Sequence, residues 1–231
     1  MMGRYASQVK LISFDLDETV WPSVEVLRKA EETQFQWLEK KAPRLTLAHN
    51  IESLREHRQH VRKMYPEMAY NLTAMRMISL NQLLQEFSYT LTLAEEAISI
   101  FLEARNQVTP YPDVIPVLDC LIKKYILVSL TNGNAEVSQT PLKNYFQISL
   151  TPAIAGTAKP DPDIFHQVLK KIKIEPYQAI HVGDHPTYDI AAAQQVGMRA
   201  IWINRNDMVW PEELPPPDGI INNLYELEQW L

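Results

Sequence analysis

The chain has one cysteine, no excess of basic charge and no long apolar run, and each shortage removes a class of protein. Cys120 alone cannot close an intramolecular disulfide, which suits a reducing compartment. Lys and Arg number 22 against 28 Asp and Glu, a net charge of −6 that argues against a general nucleic-acid binder. No stretch approaches the roughly 20 apolar residues needed to cross a bilayer. Met1 to Lys10 lacks the apolar run of a secretory leader. The expectation is a soluble, cytoplasmic chain with no membrane and no nucleic-acid partner; the oligomeric state is not legible. There is no internal repeat or low-complexity tract. What is present is 46% hydrophobic sequence over 231 residues, enough for a sizeable core and a smaller module.

Short apolar runs alternate with helical stripes. Val9 to Phe14 reads as a strand that ends at Asp15 and Asp17, and Ile126 to Leu130 as one that ends at Thr131-Asn132-Gly133-Asn134. Ile180 to Val182 leads into Gly183-Asp184, and Ala200 to Ile203 follows. Between them lie the stripes Val114, Val117, Leu118, Leu121 and Ile164, Phe165, Val168, Leu169, Ile172. This order predicts an α/β fold, a Rossmann-like parallel sheet covered by helices, with ligands beyond the carboxyl ends of the strands. Residues 22–110 differ: they carry helical patterns and no convincing strand, with breaks at Pro43, Pro66 and Thr90 to Thr92. The expected organisation is an α/β catalytic core of residues 1–21 and 111–231, interrupted by a roughly four-helix insertion at 22–110. A final strand-like run and a terminal helix follow Pro215-Pro216-Pro217.

The polar strand ends carry the chemistry. On an extended chain Asp15 and Asp17 share one face. Two carboxylates about 4 Å apart repel by roughly 4 kcal/mol at an effective dielectric of 20, so a cation or a shared proton must offset them. Oxygen ligands favour Mg²⁺, and a protonated carboxyl is a general acid. An isolated Asp-x-Asp is more often a helix cap beside a solvated acid in a turn. Gly183-Asp184 and Asp189 supply a second acidic strand end, with Gly183 permitting close backbone approach. Thr131 and Asn132 add neutral hydrogen-bonding groups, in a loop read as leading into a helix and able to cradle phosphate oxygens. Lys159, before a proline-marked helix start, suits a phosphate or a solvated surface.

Asp15-Leu16-Asp17-Glu18-Thr19, Leu130-Thr131-Asn132-Gly133, Lys159-Pro160-Asp161-Pro162 and Gly183-Asp184 with Asp189 occur in one order on successive strand ends. Together they resemble the haloacid-dehalogenase-like hydrolase superfamily, in its phosphatase branch with a helical cap inserted after the first motif. The resemblance implies a phosphoric monoester hydrolase in which Asp15 is the nucleophile and Asp17 the general acid/base. It implies that Thr131 and Lys159 hold the phosphoryl group. It further implies Mg²⁺ bound by the Asp15 and Asp184 carboxylates and the Asp17 backbone carbonyl, with Asp189 in support directly or through water. The partner so implied is a small phosphorylated metabolite. The loops at Thr131 to Ala135 and Ile180 to Asp184 resemble those of bacterial phosphatases of FMN and riboflavin precursors, so FMN or a ribityl or sugar phosphate is expected.

Other readings stand beside this one. Haloacid dehalogenases of the superfamily also use an aspartate nucleophile but need no Mg²⁺ and usually lack the second aspartate, against which Asp17 speaks. A phosphomutase uses the same acids. A binding protein of the same architecture needs none of them. Asp15 to Pro22 also resembles the first motif of magnesium-dependent protein or phosphotyrosine phosphatases, a type without a large cap.

Within the insertion, Arg76 and Tyr70 flank a Met-rich helix and are candidate substrate contacts. Residues 42–80 hold six Lys or Arg against three acids, an asymmetry that would attract an anionic substrate; Arg55, Arg58, Arg62 and Lys63 read more simply as a solvated face paired with Glu52 and Glu56, and Met68, Met75 and Met77 as core. His57 and His60 have no third metal ligand in view. His185 is either a tuning group or a structural hydrogen-bond partner, and Cys120 is expected to be a small buried hydrophobe.

Overall fold

The computed structural model describes residues 9–231; the Met1 to Gln8 part of the segment read as lacking a leader lies outside them. The chain divides into two compact units. One holds the chain up to Pro22, Thr109–Gly133 and Val137–Leu231; the other holds Ser23–Val108 with Asn134–Glu136.

The first unit is a six-stranded parallel sheet of β1 (Leu11–Phe14), β2 (Ile126–Leu130), β3 (Ile148–Leu150), β4 (Ala179–Gly183), β5 (Arg199–Ile203) and β6 (Gly219–Ile221). Its order is β3-β2-β1-β4-β5-β6, and every pairing is parallel. In this doubly wound order the strand sequence reverses at β1 and β4, which opens a crevice at their carboxyl ends. All four residues of β1 are buried, as expected for a strand covered on both faces. The covering helices include α6 (Val114–Leu121), α7 (Pro152–Ala155), α8 (Asp163–Ile172) and α9 (Ala192–Gln195), numbered after the five of the other unit. Helix α8 buries Ile164, Phe165, Val168 and Leu169 on one face, each such side chain contributing about 1.5–3 kcal/mol. It stops at Lys173, whose left-handed φ of 61° cannot continue a right-handed helix.

The second unit is helical: α1 (Val24–Lys41), α2 (Pro43–Ala48), α3 (Ile51–Met64), α4 (Leu72–Glu86) and α5 (Thr92–Arg105). Its core joins Leu38, Leu45, Leu83, Leu84 and Ala97.

Several expectations change. Pro43 does not only break a helix; it starts α2, because a first-turn proline loses no hydrogen bond. The tail after β6 is a 3₁₀ helix, Leu224–Trp230, not an α-helix. The Thr131 loop enters no helix directly and reaches only a short 3₁₀ turn at Val137–Gln139. Cys120 is exposed, since the buried face of α6 is Val114, Leu118 and Leu121. Met68 is exposed while Met75 is buried. Arg58 pairs with Glu31 of α1, and Arg55 with both Glu31 and Glu52; among the described residues Glu56 takes no ion pair. Glu31 is 9% exposed, so its charge draws partners inward.

Arg205 ties distant segments of the first unit together. It donates from Nε to the Thr19 carbonyl at 3.0 Å and from both Nη atoms to Asp113 at 3.2 and 2.8 Å. Asp113 Oδ2 also accepts from the Leu224 backbone N–H at 2.6 Å. The guanidinium lies 4.0 Å over the Tyr111 ring. Arg205→Ala should therefore cost about 3–5 kcal/mol by leaving Asp113 buried without its counter-charge. Chemical denaturation checks this, and Arg205→Lys should recover only part, since an ammonium lacks the bidentate fork.

Candidate active site

Asp15 continues β1 by one step, its N–H donating to Val182 O of β4 at 2.9 Å. Asp184 lies directly beyond Gly183, and Trp202 of β5 fixes its carbonyl through a 2.7 Å indole hydrogen bond. Thr131 follows β2, with its N–H on Leu150 O at 3.1 Å. Three strand ends thus deliver three polar side chains to a cleft of about 190 Å³, also lined by Asp17, Asn132, Lys159 and Asp189.

Lys159 is the one ammonium in this group, and it is 4% exposed. Its Nζ donates to Asp15 Oδ1 at 2.6 Å, to Leu130 O at 2.7 Å and to Asp189 Oδ1. Its backbone is fixed by a reciprocal pair with Asn132: the amide donates to Lys159 O at 2.7 Å and accepts from Lys159 N at 2.8 Å. Asn132 is therefore engaged with the lysine loop. Thr131 Oγ1 accepts from Gly133 N at 2.9 Å, which leaves its proton to donate into the cleft.

Asp189 sits on a π-helical turn, Pro186–Ala191, whose extra width places its carboxylate over Gly183. A Cβ at Gly183 would stand 2.3 Å from Asp189 Cγ. Gly183→Ala should displace the carboxylate at a cost of roughly 1–3 kcal/mol, and more if the turn cannot yield. A melting-temperature loss of several degrees is expected, checked calorimetrically; an unchanged melting point would contradict this packing.

Asp189 accepts from Lys159 Nζ, from His181 Nε2 at 3.1 Å and from His185 N at 3.0 Å. Burial alone would raise its pKa, but the Lys159 ammonium and the His181 hydrogen bond hold it well below the usual carboxylate range. Burial pushes His181 down, keeping it neutral; the tautomer with the proton on Nε2 serves Asp189 while Nδ1 accepts from Ser13 Oγ at 2.8 Å. His185 accepts the Thr187 and Tyr188 N–H groups at 3.2 and 3.3 Å and stacks on the Tyr188 ring, a structural arrangement.

Carboxylate oxygens of Asp15, Asp184 and Asp189 lie within 4.8 Å of one another. Among the described residues this is the one grouping of three such side chains close enough for a metal. Against one ammonium, three carboxylates leave two negative charges, which is the charge a divalent cation supplies. The crowding shifts these acids: burial raises Asp15 well above its ordinary range despite Lys159, and burial with Asp189 pushes Asp184 up to about 7. Oxygen-only donors suit a hard cation such as Mg²⁺. The Asp17 carboxyl is outside this trio; it accepts the Trp21 indole N–H at 2.8 Å and borders the cleft. Thr19 Oγ1 donates to Asp184 Oδ1 at 3.3 Å.

The haloacid dehalogenase-like hydrolase family model matches residues 9–197. The chain belongs to that family. This hydrolase is 29% identical over 224 residues to the 5-amino-6-(5-phospho-D-ribitylamino)uracil phosphatase YigB of Escherichia coli, covering 92% of each chain. Among solved structures it is similar to a 2-haloacid dehalogenase from Pseudomonas syringae pv. Tomato, with a TM-score of 0.91 and 38% identity over 96% of this hydrolase and 97% of that chain. A HAD phosphatase from Thermococcus onnurineus aligns with a TM-score of 0.66 and 27% identity over 96% and 97%.

Of the residues singled out in sequence, the structure brings Asp15, Asp17, Thr131, Asn132, Lys159, Asp184 and Asp189 to one cleft. Arg76 belongs to the helical unit, where it is 8% exposed and bound to Glu31 and Gln34. Sequence reasoning missed His181, Ser13 and Thr19. The signal for His181 was a lone polar ring inside a fully buried strand.

Proposed function

We propose that this hydrolase is a Mg²⁺-dependent phosphatase of a small phosphorylated metabolite, working through an aspartyl-phosphate. The observation that carries the reading is the cluster of three carboxyl groups, Asp15, Asp184 and Asp189, facing one ammonium, which when ionised leaves two negative charges for a divalent cation to answer, with Asp17 as an additional carboxyl at the same cleft. When bound, Mg²⁺ would be held by Asp15, Asp184 and the Asp189 region, and it would neutralise phosphoryl oxygens and favour ionised Asp15.

The protein groups then have distinct tasks. A carboxylate oxygen of Asp15 attacks phosphorus and the bond from phosphorus to the ester oxygen breaks. Asp17 gives its proton to the departing alkoxide, then takes one from the water that attacks the aspartyl-phosphate, releasing phosphate and regenerating Asp15. Thr131 and Lys159 hold the phosphoryl oxygens, Thr131 through its hydroxyl proton and Lys159 by turning one of its three N–H groups from Asp15 to the substrate. Lys159 is already held by Asn132 and Asp189, so it enters the reaction in place.

The likeness to a 2-haloacid dehalogenase supports a second reading. One feature weighs against it: a halide leaves without a proton, so Asp17 would have no acid to supply. The full-length match to YigB supports a phosphorylated ribityl compound as substrate, with FMN and sugar phosphates as neighbours in chemistry.

Phosphate release from 5-amino-6-(5-phospho-D-ribitylamino)uracil, FMN and a set of sugar phosphates tests the assignment. The expected result is turnover of at least one ribityl or sugar phosphate, with the Asp15 peptide phosphorylated after an acid quench. Phosphorylation elsewhere, or none during turnover, would reject the mechanism.

A further inference from the structure

The helical unit contains a cavity of about 530 Å³, well within the size range of small-molecule sites. Its lining includes Arg28, Arg55, Arg58, Arg62 and Arg76, with Glu31 as the single carboxylate among them. Arg28 is matched on its own helix by Glu25 and Glu32. The other four have two carboxylates between them. Glu31 takes Arg55 Nε at 2.6 Å, Arg58 Nη2 at 2.7 Å and Arg76 Nη2 at 3.2 Å, and Glu52 takes Arg55 Nη1 at 2.9 Å. Arg62 has no carboxylate partner among the described residues. Glu25, Glu32 and Glu52 do not line the cavity, so the concave surface itself presents five guanidinium groups against the single carboxylate of Glu31.

The guanidinium groups of Arg55, Arg58 and Arg76 are also held in place before any ligand arrives. Arg76 is 8% exposed, accepts no freedom from its surroundings, and donates to Gln34 Oε1 at 3.0 Å with its carbon 3.6 Å over the Phe101 ring. Phe101, Leu72 and Met75 supply an apolar wall to the same cavity. Arginines converging on one shared carboxylate, each through a single N–H, leave further donor N–H groups that a phosphate or carboxylate can take bidentately.

We propose that this cavity binds a small dianion, bearing phosphate or carboxylate groups, that also carries a planar or apolar portion. The site lies wholly within the helical unit, and its argument does not depend on the phosphatase reading. Such a ligand has two sources: the second charged end of a substrate, or a separate effector.

Phenylphosphonate is a suitable probe, being a dianion with a planar ring and no bond this chemistry hydrolyses. It is titrated calorimetrically into the full chain in EDTA, where the carboxylate trio of the α/β unit repels an anion. The expected result is saturable binding that weakens with ionic strength, and that falls roughly tenfold in Arg62→Ala, since one charge-assisted hydrogen bond is lost. Arg62 is exposed, so that variant should fold, which near-ultraviolet circular dichroism checks. Arg58→Lys keeps the charge, loses the fork and should also weaken binding. No binding by the unmodified chain, or equal binding by both variants, would overturn the proposal. The source follows from the ratio of specificity constants for a doubly anionic substrate and for p-nitrophenyl phosphate. A ratio lowered in Arg62→Ala assigns the cavity to the substrate's far end, and an unaltered ratio assigns it to a separate ligand.

Discussion

In an Asp15→Asn variant, turnover is expected to fall by at least roughly 10⁴-fold, because an amide oxygen cannot form the acyl phosphate and single nucleophile removals in other enzymes cost that much or more. Stability should move far less. Asp15 is 6% exposed, and burial raises its pKa well above the ordinary range even with Lys159 at 2.6 Å. Its ionised form is therefore disfavoured by the fold, and replacing it with a neutral isostere relieves repulsion with Asp184 and Asp189. The amide oxygen can still accept from Lys159. Thermal unfolding in EDTA should show the variant as stable as the parent or slightly more so. Substantial residual turnover in a folded variant would remove Asp15 from the role of nucleophile.

Lys159→Ala should act on both activity and stability. Among the described residues the ammonium is the single Lys or Arg cation paired with Asp15 and Asp189, and both carboxylates bond to it directly. Deleting it leaves buried acids without a counter-charge, a change that costs about 3–5 kcal/mol in comparable buried pairs. It also removes a donor to the phosphoryl group, and losing one such donor costs roughly 10²–10³ in kcat. The two effects separate experimentally. Added Mg²⁺ should recover part of the stability, because a divalent cation answers the same acids, but should leave most of the kinetic defect. A variant with parental kcat/KM would reject the phosphoryl-holding role.

The core of the site was legible because its parts sit at strand ends. Asp15, Thr131 and Asp184 each follow a short apolar run, and a parallel sheet gathers the ends of neighbouring runs. Gly183 was legible as a point of close approach, although only the structure shows that Asp189 fills the space. Other features left no local trace. β3 is three residues long, too short for an alternating pattern to stand out. The Arg205 clamp joins residues 92 positions apart from Asp113, a pairing no periodicity encodes. Glu31 drew Arg58 away from the surface pairing expected along its own helix and shares Arg55 with Glu52, because α1 packs beside α3 and a buried carboxylate competes better for guanidinium groups than an exposed one. Cys120 shows the converse error: it stands next to an apolar stripe in sequence but a quarter-turn away from it on the helix.

The most direct test of the account is a paired assay of the same preparation, measuring phosphate from the ribityl phosphate and chloride from 2-chloropropionate, each with Mg²⁺ and with EDTA. The account predicts phosphate release with Mg²⁺, its loss in EDTA and recovery on adding Mg²⁺ back, with no chloride under either condition. Chloride release that persists in EDTA, with no phosphate released in Mg²⁺, would contradict it and establish the dehalogenase reading instead.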